Sequence, residues 1–294
     1  MGGIFVILWT TSQPTAFQPA HGPFQKAKKM KMITFNEYCF SLFSLNVAYI
    51  IHINSKLVQY PVKLRVKYKV TTIINMSLSD NSYFLEIQRF VEWCHANFLT
   101  LNVSKTKEII IDFRLLKEIP PPVIINEQSV EIVHKYKYLG LVIDFKLNWN
   151  EHVNILIKRL NQRLYFLRRL RSFNFSSNSL KMFYLSIIES IICFGISCWG
   201  NSITSNDKNR INKIIKKAAK ITNNELCCFQ ELYQKCCYKK FKIISEDPTH
   251  PIYSSFIRSS RSGRFLQPAA RTERYGNSFV CSSVRISREL TAPR

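Results

Sequence analysis

From Phe145 to Asn224, fourteen Lys and Arg residues stand against three acids, Glu151, Glu189 and Asp207. The cations fall between apolar residues that recur at steps of three and four. Val153, Leu156, Leu160, Leu164 and Leu167 form one such stripe; Ile211, Ile214, Ile215 and Ala218 form another. Residues at that spacing share one face of an α-helix. The stripes must leave water to be stabilising, and the unpaired cations must stay in it, because burying them costs several kcal/mol each (~5 kcal/mol as an order of magnitude). The pattern therefore predicts two packed amphipathic helices with cationic outer faces. Lys158, Arg159, Arg163, Arg168, Arg169 and Arg171 lie off the first stripe. Lys208, Arg210, Lys213, Lys216, Lys217 and Lys220 lie off the second.

The imbalance extends over all 294 residues, with a formal net charge of +23 and a pI of about 9.8. A charge of that size opposes compaction unless a polyanion neutralises it. Nucleic acid is the first candidate and an anionic membrane surface the second. Hydrophobic residues make up 46%, which suffices for a core.

The nine cysteines are an odd number without a CxxC pair, and Cys227-Cys228 and Cys236-Cys237 are doublets. That spacing suits neither a zinc site nor a disulfide framework. The expectation is reduced thiols in an intracellular protein, nuclear or cytoplasmic, with no metal and no cofactor. Met182–Trp199 is long enough to cross a membrane and carries one charge, Glu189. Its Ser186, Ser190, Gly195 and Ser197 and its basic neighbours point instead to a buried helix. Ile33–His52 holds Asn36, Glu37 and Asn46, and the N-terminal MGGIFVILWTTS lacks a basic start. No membrane span is expected, and nothing sets the oligomeric state.

The chain reads as four segments. Residues 1–66 mix TSQPTAFQPAHGPF, a lysine run and an apolar patch without sustained periodicity, and form an unrelated, poorly ordered or partly helical leader. In 67–147, Phe84, Ile87, Val91, Cys94 and Phe98 define a helix face behind an Asp80-Asn81-Ser82 cap. A polar turn, Ser104-Lys105-Thr106-Lys107, then leads into a strand, Glu108–Phe113. Val123–Ile125 and Val130–Val133 flank Asn126–Ser129 as a hairpin, and Tyr136–Ile143 reads as one strand with Gly140 inside it. Residues 148–245 are helical: the two basic helices, an apolar helix over Leu180–Cys198, and a last helix over Phe229–Ile244. Residues 246–294 are an irregular Arg-rich tail, with eight Arg and no Lys after 250. The class is α+β.

FVEWCHANFLTLNVSKTKEIIIDF, then YKYLGLVID, then RLNQRLYFLRRLRSF resemble the reverse transcriptase of non-LTR (LINE-type) retrotransposons, from the end of the palm into the thumb. The resemblance covers roughly Thr72–Leu290. It implies truncated palm-like hairpins followed by a thumb-like helical bundle. It makes Leu101–Thr106 the palm motif after the catalytic turn, and Tyr138, Leu139 and Gly140 the primer-grip hairpin. Lys105 takes the lysine position beside the incoming nucleotide's phosphates, a role suited to a compact charge that can donate a proton.

The family's Tyr-x-Asp-Asp turn falls on Tyr68–Thr72, which puts Val70 and Thr71 at the aspartate positions. Two metal ions need carboxylates, and neither side chain supplies one. The first aspartate of the chain is Asp80, and Glu37 is the only acid before it. The sequence thus predicts no catalytic residues, no metal site and no enzyme. It predicts a retroelement remnant that retains sequence-nonspecific, phosphate-directed binding of RNA or DNA through Lys158, Arg159, Arg163, Arg168, Arg169, Lys213, Lys216, Lys217 and Lys220, with no small-molecule substrate, or a remnant without a selected function.

The stretch YKYLGLVIDFKLNWNEHVNILIKRLNQRLYFLRRLR also resembles the N-terminal segment of the AlkB-homologue tRNA methyltransferase and dioxygenase family. An iron and 2-oxoglutarate site requires His-x-Asp/Glu. None of His21, His52, His95, His134, His152 and His250 has an acid two residues on, and eight glycines form no cofactor loop.

Overall fold

The computed structural model describes residues 4–14, 68–76, 82–96, 99–112 and 121–291. They divide into two compact units. One holds the described residues up to Tyr136 together with Asp144–Leu147; the other holds Lys137–Ile143 and 148–291.

The first unit is built on a sheet. Strands β1 (Ile4–Pro14), β2 (Tyr68–Met76), β3 (Leu99–Asp112) and β6 (Glu131–Ile132) lie in the order β2-β1-β3-β6. β1 runs antiparallel to both of its neighbours, with the Val6 Cα opposite those of Ile74 and Ile110. β3 and β6 are parallel. Ile4–Pro14, inside the expected leader, forms an inner strand. IFVILWTT is rich in β-branched and aromatic residues, which favour a pleated surface. Residues 15–66, with the rest of the leader and the Ile33–His52 stretch, lie outside the described residues, as does the Asp80-Asn81 cap.

Helix α1 (Ser82–Ala96) packs on β3 and β2 and buries Ile87 and Cys94, while Phe84 and Val91 are half-buried. Burial pushes the Cys94 thiol up to about 12. β3 buries Leu101, Val103, Ile109 and Ile111.

The polar turn expected at Ser104–Lys107 is instead a bulge inside β3. Across from β1, the register passes from Lys107 opposite Trp9 to Asn102 opposite Thr11. The excess β3 residues fold back on Asn102. Ser104 Oγ and the Lys105 N–H donate to Asn102 Oδ1 at 2.7 and 3.2 Å, and Thr106 Oγ1 donates to the Asn102 carbonyl at 2.9 Å. An asparagine side chain that satisfies nearby donors lets a strand bulge without leaving the sheet.

The hairpin expected between Val123–Ile125 and Val130–Val133 is tighter: β4 (Ile124–Ile125) pairs with β5 (Gln128–Ser129), turned by Asn126 and Glu127 at φ 48 and 62°, while Glu131–Ile132 joins β3 instead. The single strand expected over Tyr136–Ile143 is two strands, β7 (Lys135–Tyr138) and β8 (Leu141–Asp144). Leu139 and Gly140, at φ 43 and 99°, are the two turn residues. Positive φ at both central positions is the two-residue hairpin geometry, and glycine takes the second place without strain.

The second unit is helical. α2 (Asn150–Ser172) begins after Trp149, which adopts φ 63° and is buried with its indole against the His152 ring. α3 (Ser177–Phe183) is capped by Ser176, whose Oγ accepts the Ser179 N–H. A π-helical turn (Tyr184–Glu189), α4 (Ser190–Cys193) and α5 (Ile196–Trp199) follow. The continuous helix expected over Leu180–Cys198 is therefore broken. The chain extends at Phe194 and enters the left-handed region at Gly195, φ 61°, where a Cβ would stand 3.0 Å from Leu141 Cδ1. Glycine meets both conditions without strain. Among the described residues no helix is long and apolar enough to cross a membrane.

α6 (Ser205–Thr222) packs along α2, and α7 (Phe229–Glu246) packs against α6. The expected irregular tail is irregular over 247–272, apart from one 3₁₀ turn and an isolated bridge, and helical beyond it. After a 3₁₀ turn (Tyr253–Ser255) come α8 (Glu273–Gly276) and α9 (Phe279–Thr291), which packs on α7. Phe279, Val280, Cys281, Val284 and Ile286 are buried with Ser282, Ser283 and Ser287. Serine is small enough to let two helices approach, so its abundance there marks a packed face. The arginines serve locally: Arg288 donates to the Phe265 carbonyl at 2.7 and 3.1 Å, and Arg285 to that of Gly276 at 3.2 Å. The mixture of helix and strand is α+β.

Candidate nucleic-acid interface

α2 buries Val153, Leu156, Leu160, Leu164 and Leu167, and α6 buries Ile211, Ile214, Ile215 and Ala218. These are the two stripes, turned inward. Lys158, Arg159, Arg163, Arg168, Arg169 and Arg171 on α2 are exposed, as are Lys213, Lys216, Lys217 and Lys220 on α6. Among the described residues none of them pairs with a carboxylate, whereas Lys107 pairs with Glu131 and Arg210 with Asp207. Arg169 and Arg171 close the last turn of α2 and Lys220 that of α6, where the helix dipole favours cations.

Arg210 belongs to the scaffold rather than the open face. Its Nη1 donates to Asn154 Oδ1 at 3.0 Å and Asp207 Oδ1 at 2.8 Å, joining α6 to α2. Lys208 is half-buried. Thr204 caps α6, its Oγ1 accepting the Asp207 N–H at 3.1 Å.

The aromatic side of this surface went unread in the sequence. Arg163 lies 5.9 Å from the Phe166 ring centroid and Arg169 lies 5.3 Å from that of Phe173. The signal was present in RLYFLRRLRSFNF, where aromatic residues interleave with arginines. These four residues line a cleft of about 640 Å³ with Phe183 and Ile187.

Beneath the basic helix, the His152 ring sits 5.2 Å from Trp199 and 6.0 Å from Trp149, and its Nδ1 accepts the Val142 N–H at 3.4 Å. Burial, with the Arg159 charge, lowers it to about 4. It is a neutral core residue.

Lys105 is exposed on the β3 bulge, in the first unit. Tyr138, Leu139 and Gly140 belong to the second, where a Cβ on Gly140 would lie 3.1 Å from Phe194 Cε1. Val70 and Thr71 lie within strand β2, their Cα atoms opposite Thr10 and Trp9, rather than at a turn. Among the described residues no three His, Cys, Asp or Glu side chains are grouped to hold a metal ion. The described cysteines are all free. A hydrogen bond with Cys193 brings Cys236 down to about 7.

With this geometry in view, the chain is similar to polymerases of mobile elements. It is 33% identical over 136 residues to the probable RNA-directed DNA polymerase from transposon X-element of Drosophila melanogaster, covering 45% of this chain. It is 27% identical over 128 residues, 43% of this chain, to that from transposon BS of the same organism. The match spans 14% of the length of each relative. A family model described as alkylated DNA repair protein alkB homolog 8, N-terminal, matches residues 149–190. No solved structure matches.

The two relatives support a reverse-transcriptase-derived origin. They also correct the expectation that the chain is no enzyme, since both are named as RNA-directed DNA polymerases, which are enzymes. That expectation rested on the register that puts Val70 and Thr71 at the aspartate positions and on Glu37 being the only acid before Asp80.

Proposed function

We propose that the helical unit binds nucleic acid through its phosphates, without reading sequence, as the part of a reverse-transcriptase-derived chain that tracks a strand or duplex. One observation carries this reading: two helices packed by their apolar stripes present Lys158, Arg159, Arg163, Arg168, Arg169, Lys213, Lys216, Lys217 and Lys220, all exposed and none paired with an acid among the described residues. Cations so arranged gain free energy by releasing counterions from the polyanion, and phosphate contacts carry no sequence information. RNA and DNA offer the same phosphates, so both are expected ligands.

The test is titration of the full chain against labelled DNA duplex and RNA–DNA hybrid across a salt series. On duplex DNA the log–log slope should be about −0.9 per phosphate neutralised. Replacing Lys213, Lys216, Lys217 and Lys220 by Gln should reduce it by about 3 to 4 if each lysine meets one phosphate. Affinity indifferent to salt, or a slope unchanged in that variant, would overturn the reading.

A further inference from the structure

The phosphate-directed surface has a second component that charge does not explain. Phe166 is 47% exposed and Phe173 is 64% exposed, and Tyr165 and Phe175, close to them in the chain, are exposed too. Each stands beside an arginine that lines the same cleft, Arg163 and Arg169 respectively. The opposite wall is supplied by Phe183 and by Ile187 of the π-helical turn. Widening a helix by one residue shifts the side chains after it, and such turns are frequent at functional sites. The volume, about 640 Å³, falls within the roughly 300–1,000 Å³ of small-ligand clefts.

We propose that this cleft takes an unpaired nucleotide, so that the chain binds single-stranded RNA or DNA, or a single strand leaving a duplex, with a base against Phe166 and Phe173 and its phosphates on Arg163 and Arg169. This rests on the phosphate-directed reading and names the ligand that the cleft adds to it. Base stacking on aromatic side chains is tolerant of sequence, because every base has a π face. Arg168 and Arg171 on the same helix end extend the positive field. No acid is among the described lining residues of the cleft, and Glu189, next in sequence to its Ser190, is half-buried, with burial raising its pKa. An apolar peptide would gain nothing from that arginine edge, whereas a nucleotide uses both rings and charges. In a duplex the bases are already stacked on each other and cannot enter.

The experiment uses the full chain with three labelled probes: oligothymidylate, a blunt duplex, and the duplex with a thymidine overhang. The variant Phe166→Leu/Phe173→Leu keeps apolar volume at exposed positions and should melt within a few degrees of the parent. It should lose roughly a hundredfold in affinity for oligothymidylate, about tenfold per ring, and no more than about twofold for blunt duplex. Independently of any variant, 5-iodouracil in the overhang should photocrosslink to the peptides spanning 163–191.

Equal loss on all probes, no loss on any, or crosslinks confined elsewhere would overturn the cleft assignment. The phosphate-directed reading would survive if the salt slope on duplex remained. A parent chain that binds none of the probes would overturn both. A dimer in solution that the variant dissociates would show the cleft to be a self-association surface, and would also overturn the assignment.

Discussion

Helices α6 and α7 have the same length, eighteen residues, and opposite fates. α6 carries six cations and one acid and buries a single stripe against α2 and its neighbours. α7 carries four cations and two acids and packs against α4, α5, α6 and α9. Phe229, Leu232, Tyr233, Cys237, Phe241 and Ile244 are all buried on it. Its Lys235 Nζ lies 2.7 Å from Cys227 Sγ, while Lys216 and Lys217 of α6 meet only solvent among the described residues. A helix flanked on several sides spends part of its surface on the fold, although Lys239 and Lys242 of α7 stay exposed. A helix packed along one stripe leaves a wider cationic face for a partner. Basic composition alone therefore does not locate a binding face; packing does.

That contrast can be broken or sharpened by measurement, starting with the core. Phe241 of α7 meets the Phe256 and Phe265 rings at 5.0 and 4.8 Å. Phe241→Ala should cost about 3–5 kcal/mol in equilibrium denaturation of the full chain. A cost below about 1 kcal/mol would mean that the segment after 250 does not pack on α7 as described.

The inner side of α2 should respond to pH. His152 is lowered to about 4 in the folded chain, against about 6.5 when unfolded. In that window the unfolded chain binds the proton and the folded one does not. Stability from this residue is thus complete above pH 6.5 and falls as pH drops to 4, by about 3 kcal/mol. His152→Gln should flatten the profile between those limits, read by denaturant midpoints across pH. A profile of unchanged slope would place the imidazole in water.

A smaller effect is expected at Gly195. An alanine there must adopt φ 61° and push its Cβ against Leu141, at a cost of about 1–3 kcal/mol. Loss of less than about 0.5 kcal/mol would show that the break between α4 and α5 is not imposed at that position.

The smallest change in stability separates the two helices directly. Lys216→Gln/Lys217→Gln should alter unfolding free energy by no more than about 0.5 kcal/mol per site, yet lower the duplex-DNA salt slope by about 2. Lys239→Gln/Lys242→Gln on α7 is the control, and its slope should match the parent. Identical slopes for both variants would erase the distinction between α6 and α7.

Much of the candidate surface was legible in the order of residues. Leu156, Leu160 and Leu164 recur at helical spacing, and hydrophobic burial acts on that spacing locally. Lys213, Lys216, Lys217 and Lys220 followed by subtraction, since charges not on the stripe must face water. Arg210 could not be sorted that way, because its role depends on Asn154, fifty-six residues earlier. The Phe166–Phe173 cleft was not legible either. Its far wall comes from the π-helical turn, which no periodicity announces.

The sequence by itself determined the two amphipathic helices, their cationic faces and the α+β mixture, because period, charge and β-propensity are properties of near neighbours along the chain. Tertiary structure alone decided four other features. Ile4–Pro14 pairs between β2 and β3. The Asn102–Lys107 stretch bulges within a strand. The apolar segment breaks at Gly195 against Leu141. The serine-rich end buries itself on α7. Three of these depend on contacts between residues far apart in the chain, and the bulge depends on its register against β1 as well as on its local bonds to Asn102; across such contacts the free energy comes from the partner surface rather than from the residue's own preference.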